Sequence, residues 1–87
     1  MTEHTPGPWT MHPTATGAKI RDAHTYFIAG VGQRSVGYDE TLANARLIAA
    51  APELLALAER VAAHFDGTDA PLGEAARAVI HAATEGA

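Results

Sequence analysis

The chain has 87 residues and a mass of 9.0 kDa, with no cysteine and a formal net charge of −4 from six Lys and Arg against ten Asp and Glu. A chain of this size is expected to form one domain with a thin core, burying about 60% of its unfolded surface. The lack of cysteine excludes disulfide scaffolds, thiolate catalysis and Cys-ligated zinc, and the acid excess argues against the broad basic footprint of sequence-independent nucleic-acid binding.

An apolar share of 47% and a charged share of 18% are those of a globular protein rather than a disordered one. The chain has no run of about 18 apolar residues, and Met1-Thr-Glu-His4 lacks the basic and apolar regions of a signal peptide. A soluble, intracellular protein without membrane contact is expected.

In chain order, Thr5-Pro-Gly-Pro-Trp9 reads as an extended arm over residues 1–8 that delivers Trp9 to a sheet, because two prolines and a glycine bar a helix. Trp9 is read as a core or sheet-edge anchor, with ligand stacking as the alternative. Pro13–Gly17 reads as a loop. Ala18–Asp22 alternates, Ala18 and Ile20 facing one way and Lys19 and Arg21 the other, as a half-buried strand does. Asp22–Thr25 turns the chain, Tyr26–Val31 is the best strand, Gly32–Ser35 turns again, and Val36–Tyr38 is a short third strand. Links this short suit an antiparallel meander and not parallel pairing.

Asp39 reads as the N-cap of a helix whose broad alanine-rich face, with Leu42, Ala45 and Ala49, permits close approach to a partner. Pro52 breaks that helix near 50–52 and opens a second, with Leu54 and Leu55 turned to the core and an end at Asp66-Gly67. After a loop at 66–70, Pro71 opens a third helix carrying Leu72, Ala75, Ala76, Val79 and Ile80. The expected fold is therefore α+β: one domain over 1–87, a small three-stranded antiparallel meander within 9–38, and two to three helices within 39–87 packed on one face.

The chemistry expected of the chain is sparse. None of His4, His12, His24, His64 and His81 stands three or four residues from another on one helix, and no H-E-x-x-H occurs, so no metal is expected. Ser35 is the only serine and lacks a G-x-S-x-G setting. The glycines do not form a phosphate cradle, and the carboxylates Glu53, Glu59, Glu74 and Glu85 fall on helix surfaces. No catalytic residue, no cofactor and no enzymatic activity are expected. The residues best suited to contact a partner are Lys19, Arg21 and Arg34 on the hairpin, with Asn44 and Arg46 on the first helix. Arg46 has a competing reading as an ion-pair partner of Asp39, Glu40 or Glu53.

The segment His4-Thr-Pro-Gly-Pro-Trp9 and the segment Ala43-Asn-Ala-Arg-Leu-Ile-Ala-Ala-Ala-Pro-Glu-Leu-Leu55 resemble a group of small bacteriophage and prophage proteins that share both stretches. The two cover about a fifth of the chain and leave the third helix outside. The resemblance implies a phage protein acting in the cytoplasm of a bacterial host, and by analogy an anti-CRISPR or other anti-defence inhibitor that binds a host protein complex such as a CRISPR effector. Two other readings stand beside it: a homodimeric structural or regulatory accessory protein that pairs through its alanine stripe, and a weak nucleic-acid binder using Lys19, Arg21 and Arg34.

Overall fold

The computed structural model describes residues 3–32 and 36–85, in the order β1 (Thr10–Thr14), β2 (Gly17–Arg21), β3 (Phe27–Gly32), α1 (Tyr38–Ala49), α2 (Ala51–His64) and α3 (Pro71–Glu85). This is the expected α+β order, an antiparallel meander followed by helices. The chain gathers into two compact units, one of Thr5–Pro52 and one made of the described residues of Met1–His4 and Glu53–Ala87.

The first unit is a three-stranded sheet, β1-β2-β3, with β2 in the centre. Register pairs Met11 with Ile20 and Pro13 with Ala18 on one side, and Ala18 with Val31 and Ile20 with Ala29 on the other. These residues share the face that α1 covers, where Ala18, Ile20, Ala45 and Ala49 form the buried core. Alanines at 45 and 49 let the helix backbone come close to the strands. Trp9, Met11, Ile28 and Leu42 pack around that core. Trp9 is thus an anchor against the sheet, and its indole Nε1 donates to the Thr5 carbonyl at 3.1 Å.

Two strand expectations are corrected. Pro13, read as loop, lies within β1, which is tolerated because β1 is an edge strand. The segment Val36–Tyr38 is not a strand. Tyr38 opens α1, and its hydroxyl donates to the Thr14 carbonyl at 2.7 Å, which ties the helix start to β1. Nor is Asp39 the N-cap: that position is Gly37 and has no side-chain cap. The buried Thr41 instead donates from both its backbone N–H and its Oγ1 to the Gly37 carbonyl, each at 3.0 Å, while Asp39 and Glu40 in the first turn complement the helix dipole.

The Asp22–Thr25 turn forms as expected. Asp22 Oδ1 accepts from the N–H groups of His24 at 2.8 Å and Tyr26 at 2.9 Å. Thr25 is held at φ 68, the left-handed region, at this turn.

The break near 50–52 is present. Ala50 caps α1, donating its N–H to the Arg46 carbonyl at 3.1 Å, and α2 restarts at Ala51 with Pro52 in its first turn, where a missing N–H is not needed.

In the second unit α2 ends at His64, and Gly67 at φ +78 reverses the chain. Thr68 Oγ1 donates to the Phe65 carbonyl at 2.7 Å and accepts from the Ala70 N–H at 3.3 Å, so one hydroxyl orders the loop into α3. Gly73 is buried, and a β-carbon there would stand 2.7 Å from Phe65 Cβ. Alanine would favour the helix by roughly 1 kcal/mol on propensity alone. Gly73→Ala is nevertheless expected to destabilise the α2–α3 unit by about 1–3 kcal/mol, since the clash involves a Cβ fixed to the backbone. A rise in thermal midpoint would show that Phe65 yields freely.

Candidate functional site

The residues singled out from the sequence do not converge on one site. Strand alternation sends Ala18 and Ile20 into the core and leaves Lys19 and Arg21 on the opposite, uncovered face of the sheet. Lys19 is exposed. Arg21 is half-buried and donates from its guanidinium to the Thr25 carbonyl at 3.0 Å. Arg34 lies outside the described residues. Asn44 and Arg46 are exposed on α1, which covers the core face, so they stand on the other side of the sheet from Lys19 and Arg21. The ion pair expected of Arg46 is absent among the described residues, where the one close contact of a basic with an acidic side chain is the hydrogen bond between His81 Nδ1 and Glu85 Oε2 at 2.6 Å, both well exposed.

The uncovered sheet face carries more than its cations. His12 pairs with Lys19 and Thr10 with Arg21 on β1, while Gly30 pairs with Lys19 and Phe27 with Arg21 on β3. A bulge at Ile20/Arg21 places Ile28 as the extra residue, so that Ile28 and Ala29 both contact the core and Phe27 turns outward at 59% exposure. Its ring reaches over Gly30, where a β-carbon would lie 3.8 Å from Phe27 Cζ. None of the strand residues is a carboxylate.

Charge is also divided unevenly along the chain. Thr5–Pro52 holds four cations, Lys19, Arg21, Arg34 and Arg46, against the three carboxylates Asp22, Asp39 and Glu40. The other unit's residues hold two cations, Arg60 and Arg77, against seven carboxylates. The whole acid excess of the chain is therefore outside the sheet unit.

The helical unit presents a second feature. Leu54, Leu57, Val61, Leu72, Ala76 and Val79 line an apolar groove of about 260 Å³ between α2 and α3. Leu54 is 48% exposed, Leu57 55%, Leu72 59% and Val79 56%. This corrects the placing of Leu54 in the core: buried positions on these helices are the small residues Gly73 and Ala76, and the leucines stand around them. The alanine stripe is corrected too, because Ala45 and Ala49 are consumed by the sheet and do not offer a surface for self-contact. A second, more enclosed pocket of about 320 Å³ brings Glu3, His4, Glu59 and Thr84 together over Leu55 and Ile80. Among the described residues no group of three or more His, Asp or Glu is placed to hold a metal. No single helix among them is long and apolar enough to cross a membrane, and α1 and α2 reach that measure only when taken together across their break.

The family described as Salmonella phage P22 protein Y8K6 matches residues 1–87. The chain belongs to that family. The P22 Y8K6 match takes in α3, which the two stretches His4–Trp9 and Ala43–Leu55 leave outside, so the third helix belongs to the family as well. Neither a curated protein nor a solved structure matches the chain.

Proposed function

We propose that this phage protein is non-enzymatic and acts in the infected bacterium by protein–protein contact, inhibiting a host defence complex such as a CRISPR effector. The observation that carries the reading is the α2–α3 groove. Four large aliphatic side chains stand about half exposed along one apolar depression, a concentration that marks interaction surfaces more often than chance exposure. Membership of a phage family supports the setting, and the defence target is taken by analogy with small phage accessory proteins.

The expected result is recovery of phage infectivity in a CRISPR-positive host that expresses the protein, with effector subunits retained on the tagged chain. Both should be lost in Leu57→Asp/Leu72→Asp, while helix content by circular dichroism is kept. Absence of both rescue and any retained host protein with the unaltered chain would sink the proposal.

A homodimeric accessory protein is the second reading, favoured by the spacing of Leu54, Leu57 and Val61 on α2 and of Leu72, Ala76 and Val79 on α3. Steps of three and four residues are those of seams between paired helices. Light scattering separates the two: a dimer mass abolished by the same double substitution, with no host partner, selects the homodimer.

A further inference from the structure

We propose that the uncovered face of the β1-β2-β3 sheet binds single-stranded nucleic acid, with a base stacked on Phe27 and adjacent phosphates held by Lys19 and Arg21. Charge complementarity argues for an anionic occupant. The strand residues of this face include the cations Lys19 and Arg21 and no carboxylate. The nearest acid in sequence, Asp22, has its Oδ1 taken by two backbone amides of the turn.

An aromatic ring beside those cations narrows the occupant from any polyanion to one with flat faces. Phe27 is turned out of the core by the bulge, stands opposite Arg21 and is 59% exposed, and its ring edge lies near Gly30, where there is no side chain. Bases stack on such a platform whatever their sequence, provided they are unpaired. A duplex hides its base faces and would gain nothing from the ring. Lys19 and Arg21 are two residues apart on one strand, about 7 Å along it, a step comparable with that between neighbouring phosphates of an extended strand. Counted by itself, the unit that carries this face has four cations against three carboxylates, so it does not share the chain's net acid excess.

The test titrates the full chain into a fluorescein-labelled oligothymidylate, followed by anisotropy, with the corresponding duplex and heparin in parallel. The single strand is expected to bind in preference to both. Its affinity should fall with salt at a log–log slope of roughly −1.4, as two phosphate contacts on a single strand predict. Phe27→Ala is expected to weaken binding about 5- to 160-fold, the range one stacked base carries. Lys19→Gln should reduce the salt slope by about 0.7. Lys19 is the cleaner cation to remove, because Arg21 also holds the Thr25 carbonyl. Circular dichroism of each variant verifies the fold. No binding of the single strand at low salt would overturn the proposal. So would equal binding of heparin or duplex with Phe27→Ala unchanged, since that is the behaviour of a mere polyanion contact.

Discussion

Ile20→Ala is expected to lower stability by about 3–4 kcal/mol. Ile20 is fully buried and is the larger of the two fully buried side chains among the described residues. It sits on the central strand against Ala18, Ala45 and Ala49, none of which has atoms to spare for a vacated space. Truncation therefore leaves a cavity whose lining loses its contacts outright. Met11 and Leu42, half-buried at the margin, can relax inward and hold the loss below the upper end of the range for such changes.

A chain of this length has about 4–13 kcal/mol of stability in all, so the variant gives up a large fraction. Trp9 is the only tryptophan and packs against this core, so its fluorescence in a urea titration reports this unit directly. With a slope of about 1–1.5 kcal/mol per molar urea, the midpoint should fall by roughly 2 M or more. Ile20→Val, which keeps most of the volume, should cost about 1 kcal/mol. A loss under about 1 kcal/mol for the alanine variant would mean that α1 does not close over the sheet as described.

How far this arrangement was legible from residues alone differs by element. The alternation Ala18-Lys-Ile-Arg21 assigned both faces of β2, and the helix break at Pro52 and the stop at Gly67 follow from backbone constraints that proline and glycine impose anywhere. β1 was hidden because Pro13 is acceptable only on an edge, and edge position is a property of the assembled sheet. Tyr38 fits a strand by propensity, yet a single long-range hydrogen bond to Thr14 and the double acceptance at Gly37 place it in a helix.

The candidate sites show the same limit. Strict alternation along β3 would put Phe27 with Ala29 and Val31 in the core. The extra residue Ile28 reverses that, and no local signal announces the bulge. Leucines 54 and 57 have the periodicity of core positions, which periodicity alone cannot distinguish from positions awaiting a partner.

Gly17→Ala is expected to destabilise the sheet for the opposite reason to the loss of Ile20, by about 1–3 kcal/mol or more. Gly17 opens β2, paired on one side with Thr14 and on the other with Gly32, and it is buried. A β-carbon built there would collide with the Val31 carbonyl oxygen and lie 3.1 Å from its carbonyl carbon. The obstacle is backbone, so no rotamer change relieves it. Either β2 or β3 must move, and the pairing of Ala18 with Val31 in the next register position moves with it.

Overpacking of this kind costs about 1–3 kcal/mol and can exceed that where backbone is displaced. Gly32→Ala is the matched control, since nothing lies within 4 Å of a β-carbon at that position, and it should change stability by less than about 0.5 kcal/mol. Hydrogen exchange of the β2–β3 amides distinguishes the causes. Loss of protection in Gly17→Ala at the Gly17–Ala18 end, with the Arg21 end retained, locates the damage at the steric contact. Unchanged protection together with unchanged stability would show that the two strands do not approach at Gly17 as closely as the structure places them.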